Sequence, residues 1–159
     1  MTDAPTIYLT NWSSSRHRGP GSVYTIMARP KGWERGDGTV RVLVPRRDDL
    51  AAIQLAAGVA EEKGHSLTRD DDAVLDYQRA YRRHVIVQGP PDDPLGHLSP
   101  GALAAAESGG RVRTVKDGDT LCCACSRKQA AAGLCHRVWA AQLLRRAGWL
   151  VVLDGEVRS

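Results

Sequence analysis

Phenylalanine is absent from this chain, lysine is scarce, and aromatic residues make up only 5% of its 159 positions. Beside abundant Arg, Ala, Gly and Asp, that usage is the bias of a GC-rich genome, and it excludes no function. Long apolar runs are also missing. The stretch Trp149 to Leu153 is far below the length that crosses a bilayer, and the opening "MTDAPTIYLT" has neither the basic nor the apolar region of a secretion signal. A soluble, cytoplasmic protein with no membrane partner is therefore expected. There is no polybasic tail: 22 basic residues stand against 18 acidic ones, and the net charge of +4 is spread along the chain. Such a surface tolerates anionic ligands without marking a nucleic-acid binder. Internal repeats and low-complexity tracts are absent too. With 42% hydrophobic residues, residues 1–159 suffice for a single domain with a real core.

Cysteine is confined to one place. All four thiols, Cys122, Cys123, Cys125 and Cys135, fall in "LCCACSRKQAAAGLCHR". In a reducing cytosol these are poor disulfide candidates, and two are sequence neighbours, which leaves metal binding, chemistry or packing.

Hydrophobic periodicity places the elements around that cluster. "TIYLT", Thr6 to Thr10, reads as a buried first strand running into the polar loop "NWSSSRHRGPGS". "VYTIMA", Val23 to Ala28, suits a second strand or a short helix. Val40, Val42 and Val44 alternate in "GDGTVRVLVP", so a strand with Arg41 facing away is expected there, closed by Pro45. Asp48 and Asp49 open a helix that stops at Gly64, and a second helix is expected from about Asp72 to Arg83. "QGPPDDPLGHLSP" is a loop, after which Ser99 is placed to cap a short helix beginning at Pro100 and running to about Glu107. The last fifty residues read as strand, helix, strand, the pattern of a parallel βαβ unit.

In that unit a helix starting at Cys135 would direct its first N–H groups into the crevice at the carboxyl end of the preceding strand, where open α/β sheets hold ligands. The dipole and Arg137 would favour thiolate at Cys135. His136 offers a proton or a donor, and Arg137 a planar fork for phosphate or carboxylate. Successive helical residues lie about 100° apart, so at most two of the three meet one ligand atom. Packing is the competing reading for the thiols, above all for Cys122, which strand alternation turns away from Cys123 and Cys125. Zinc is the other rival: Cys123, Cys125, Cys135 and His136 make four ligands of suitable type, but one residue separates the first two where a zinc knuckle normally has two to four, and using Cys122 with Cys125 instead requires the strand to break there. A phosphatase or rhodanese loop would need an arginine six residues after its cysteine, and Ala131 stands six after Cys125.

The loop after the first strand supplies further donors: Asn11, Ser13 and Ser14, with Ser15, Arg16 and His17, ahead of Gly19 and Gly21. Its glycines do not open a helix as a dinucleotide fingerprint requires. Arg29 and Arg35 are placed to pair with a phosphate. Trp12, Trp33 and Tyr24 either stack on a ring or pack on the core. His65, His84 and His97 read as surface residues.

Leu121 to Ala124, then Cys135-His136-Arg137, then "VVLDG" together resemble the uncharacterised bacterial "domain of unknown function 488" family, whose members end in a strand cysteine, a Cys-His-Arg helix start and a last strand. "TIYLT" with its serine-rich loop, and "MARP" from Met27 to Pro30, echo the family's earlier motifs. Where the family often carries an acidic residue two after the strand cysteine, Cys125 stands here, and the loop to Cys135 is longer. The resemblance implies a three-layer, Rossmann-like α/β sandwich with a mainly parallel sheet, and a site at the carboxyl ends of the first and penultimate strands. The function expected there is binding, with scope for turnover, of a nucleotide or nucleoside-like anionic small molecule. Cys135, His136 and Arg137 would be the catalytic residues, and Asn11, Ser13, Ser14, Arg29, Cys123 and Cys125 would contact the ligand. No cofactor or metal enters this reading, and an oligomer is compatible with it. The alternative is a non-catalytic nucleic-acid-binding or zinc-dependent interaction module.

Overall fold

The β-branched and apolar segments that alternate in sequence come together in a computed structural model that describes residues 4–12, 18–28, 30, 32–123 and 135–153. Strand β1 (Thr6–Asn11), β2 (Val23–Thr25), β5 (Thr120–Cys123) and β6 (Leu150–Leu153) form one sheet in the order β2-β5-β1-β6, parallel at every pairing. Among the described residues three α-helices accompany it: α1 (Arg47–Glu62), α2 (Asp72–Val87) and α3 (His136–Arg146). The molecule is thus mixed α/β, consistent with a Rossmann-like fold. The βαβ unit expected at the end of the chain exists as β5-α3-β6, with β1 lying between its two strands.

The core sits on one face of the sheet. Ile7, Leu9, Leu121, Val151 and Leu153 point there and are buried under Trp139, Ala140, Leu143 and Leu144 of α3. Helix α2 lays Val74, Tyr77, Tyr81 and Val85 against α3, one face at helical spacing. Tyr77 meets Trp139 edge-on with ring centroids 5.1 Å apart. Helix α1 packs on α2 and leaves Leu55 and Val59 exposed. Two buried side-chain donors tie loops to this core: Tyr81 donates to the Leu43 carbonyl at 2.8 Å, and Trp149 Nε1 donates to the Leu98 carbonyl at 2.7 Å. Gly148, with φ +112°, takes the chain from the end of α3 into β6 through a backbone conformation that side chains disfavour.

Two segments differ from their sequence patterns. Residues 36–45 do not form a strand. Isolated bridges form instead, Gly36 to Tyr24 and Thr39 to Thr25 on one side and Ala106 on the other, after which Arg41–Leu43 makes a single 3-10 turn. Burial explains it: Val40 and Leu43, three apart, are the fully buried pair, whereas Val42 and Val44 are only half-buried. The short helix expected from Pro100 to Glu107 is instead strand β3 (Ala104–Ala106), antiparallel to β4 (Val112–Thr114). Gly101 at φ +91° breaks the helical path, and Ser99 bonds back to the Gly96 carbonyl rather than capping a helix.

Candidate functional site

Parallel pairing aligns the carboxyl ends of the two central strands, with Asn11 opposite Cys123 and Thr10 opposite Cys122. Side chains alternate along β5, so Cys123 enters the helix-covered face and Cys122 the other. Cys135 is the N-cap residue of α3, and its extended backbone (φ −100°, ψ 134°) turns its side chain back toward the strand end. The two sulfurs, Cys123 Sγ and Cys135 Sγ, are 3.2 Å apart. Arg137, two residues into the helical segment, donates from Nη1 to Cys123 Sγ at 3.3 Å. Two of the three residues of the Cys-His-Arg stretch therefore meet at one atom, which the extended backbone of the Cys135 cap permits, since residues two apart within a helix face nearly opposite ways.

The third faces elsewhere. His136 lies 2.9 Å from the Ile26 carbonyl through Nε2 and tilts against the Tyr81 ring at 5.6 Å. Burial pushes its pKa below the ordinary histidine value; Cys123 and the Ile26 bond oppose that shift, and Arg137 adds to it. A neutral imidazole beside a carbonyl must carry its proton on Nε2, which leaves Nδ1 as the acceptor. His136 thus fastens α3 to the strand-β2 exit. Tyr81, buried beside it, has its phenol pushed well above the usual value, first by burial and then by Tyr77, Cys135 and Cys123.

This cluster is closed. Cys123 and Arg137 have no exposed surface and Cys135 only 1%, while Asn11 is buried opposite them. Ser13, Ser14, Arg29 and Cys125 lie outside the described residues, as do Ser15, Arg16 and His17. Among the described residues no group of three or more metal-ligating side chains could hold an ion, and the zinc set expected from the sequence includes Cys125.

Open space lies beside β2 instead. Two adjoining clefts, of about 450 and 430 Å³, share Pro30, Thr39 and Arg41. The first is walled by Arg35 from the turn after residues 32–34, by Arg41 from the 3-10 turn and by Arg113 from β4. The second begins at Met27 and Ala28, next to the Ile26 carbonyl that His136 holds, and carries Arg46 and His84. Within the first cleft Arg113 pairs with Glu107 at 3.1 Å, and the Asp37 carboxylate accepts from the Val23 N–H. The guanidinium groups of Arg35 and Arg41 are exposed, and among the described residues they enter no ion pair. Gly36 (φ +56°) makes the wall possible, because a Cβ there would sit 2.3 Å from the Val23 carbonyl oxygen and 2.9 Å from the Trp12 ring. Trp12 in turn meets Trp33 edge-on at 6.5 Å and carries Arg18 over its face at 5.5 Å. Trp33 is 68% exposed. Tyr24 is core, and His97 is half-buried with Nε2 on the Val85 carbonyl.

Of the groove arginines the sequence singled out Arg35, and it also singled out the exposed Trp33 two residues before it. Arg41 was expected on the solvent side of a strand, and Arg113 carried no local signal: it reaches the groove only because the β3-β4 hairpin docks on Thr39. No family model matches the chain, and no curated protein or solved structure matches it either.

Proposed function

We propose that the protein binds a nucleotide or nucleoside-like anionic small molecule at the carboxyl edge of its sheet, with the phosphate in the arginine groove and the base or sugar against Trp33. One observation carries this: Arg35, Arg41 and Arg113, from three separate segments, converge on one open cleft, and Trp33, two residues before Arg35, is exposed. Guanidinium groups offer forked donors that match phosphate oxygens, and an exposed indole is a stacking surface for a ring. The reading takes the fold as a three-layer Rossmann-like sandwich, in which ligands sit beyond the carboxyl ends of parallel strands. The resemblance of the Cys-His-Arg stretch to the domain-of-unknown-function-488 family, which implies a site at the carboxyl ends of the strands, supports the same reading. It takes the protein as cytoplasmic, where its thiols stay reduced. Turnover would fall to Cys135 with Arg137 and His136, behind the groove, and would need the ligand's reacting group to reach past Ile26.

Thermal melting tests the binding. Adenosine monophosphate or diphosphate at roughly 100 times its dissociation constant should stabilise by about 2.7 kcal/mol, a rise in melting temperature of roughly 5–10 °C. The double variant Arg35→Ala/Arg41→Ala should lose the shift while melting at the unliganded wild-type temperature, since both side chains are exposed. A response to oligonucleotides alone, falling steeply with salt, would instead assign the groove to nucleic acid. Absence of any response to nucleotides and oligonucleotides would end the reading.

A further inference from the structure

The closed cluster behind the groove has chemistry of its own. Cys123 ends a strand and Cys135 caps the next helix, so both are anchored by regular backbone and their sulfurs meet at 3.2 Å inside the core. A disulfide bond is about 2.05 Å long, so the two sulfurs stand only about 1 Å beyond bonding distance. The two sulfurs are not equivalent. Arg137, whose guanidinium keeps its proton at any ordinary pH, donates to Cys123 and stabilises negative charge on that sulfur. We propose that Cys123 and Cys135 form a redox-active dithiol, oxidised to a disulfide by a small peroxide, with Cys123 attacking the oxidant and Cys135 resolving the product.

The steps balance. The Cys123 thiolate attacks one peroxide oxygen: an S–O bond forms, the O–O bond breaks, and the departing hydroxide takes up a proton as water. Cys135 then attacks the Cys123 sulfur, the S–S bond forms, the S–O bond breaks, and the hydroxyl leaves as water with the Cys135 proton. Two thiols and one hydrogen peroxide give one disulfide and two waters, each sulfur having lost one electron. The sulfurs have no direct opening to solvent, so the oxidant proposed is the smallest one, hydrogen peroxide, reaching them when the core opens locally. Cys122 is the internal control. It lies on the other side of the sheet, where burial drives its thiol up to about 12 against the opposing pull of Arg18 and Arg137, so it stays protonated near neutral pH.

The test is oxidation of the intact chain with hydrogen peroxide, followed by mass measurement and peptide mapping under non-reducing conditions. The expected result is loss of the mass of two hydrogens, reversed by dithiothreitol, with one bridge joining Cys123 to Cys135. Cys135→Ser should stop at a sulfenic acid on Cys123 that dimedone traps, and Cys123→Ser should oxidise about tenfold more slowly or not at all. An unchanged mass, or a bridge that includes Cys122 or Cys125, overturns the proposal even if the variants fail to fold, since that outcome is read on the wild-type chain. The Arg35→Ala/Arg41→Ala variant should form the bridge at the wild-type rate. Failure of nucleotide binding and failure of the dithiol are therefore read separately.

Discussion

Cys122 and Cys123 are neighbours in sequence and occupy opposite worlds. On the helix-covered face, Cys123 meets a second thiol and a buried guanidinium within the apolar core. On the other face Cys122 is flanked in register by Thr10 and Thr25, with Thr120 two residues back on the same side. That face is covered in part by the segment Arg18 to Ser22. The segment is held by polar contacts: Gly19 N–H to Thr120 Oγ1 at 2.8 Å, Gly21 N–H to the Gly118 carbonyl at 2.9 Å, and Ser22 N–H to the Asp119 carboxylate at 2.9 Å. One face is fixed by apolar area, the other by backbone hydrogen bonds to side chains. Residue type does not decide what a thiol does here. The pleat assigns each cysteine to a face, and the face supplies its electrostatics.

The largest expected effect tests the helix-covered face. Trp139 joins α3 to Tyr77 and Tyr81 of α2 and is 2% exposed, so Trp139→Ala removes the hinge-pin of the packing between sheet and helices. A loss of about 3–5 kcal/mol is expected, seen as a fall in the denaturation midpoint without a change in slope. The matching test on the polar face is Thr120→Val. It keeps the shape, removes the acceptor of the Gly19 N–H, and should cost about 1 kcal/mol. Similar losses from the two substitutions would mean that the faces are not held by different forces.

What the sequence made legible follows the same division. β1, α1, α2 and the β5-α3-β6 unit show their periodicity because each buries one continuous face, and Cys135 was expected within a residue of the helix start it caps. The second helix runs four residues past the expected end, to Val87, because Val85 is still in the core. Local pattern failed where long-range pairing decides. "TVRVLV" has the alternation of a strand, yet within it only Thr39 forms β-bridges, and Tyr81 seizes the Leu43 carbonyl as the chain turns. "ALAAAE" has the composition of a helix, but Ala105 is buried between Ala104 and Ala106 in a two-stranded ribbon paired across Gly109 and Gly110. Both misread segments build the arginine groove. Its site was hidden for that reason, whereas the Cys-His-Arg cluster, on a periodic helix, was visible.

The smallest expected effect concerns pH and the seam between the faces, where His136 of the helix holds the Ile26 carbonyl after β2. Burial lowers its pKa in the folded state, so an unfolded chain, with histidine near 6.5, takes up a proton that the folded chain refuses. The sign follows directly: this contribution to stability is complete above about pH 6.5 and is lost as pH falls below it. The charged and titratable groups around the ring are Arg137 on its own helix, Cys123 of β5, Cys135 at the cap and Tyr81 of α2. Arg137 stays cationic and the Tyr81 phenol, pushed well above its usual value, stays neutral across this window. His136→Gln retains an N–H donor for the carbonyl and cannot be protonated. Urea midpoints at pH 7.5 and pH 5.5 should therefore draw apart more in the wild type than in the variant, the exposed carboxylates and other histidines contributing equally to both. An identical loss in the two proteins would show that His136 takes up its proton without cost, and that the seam is open to water.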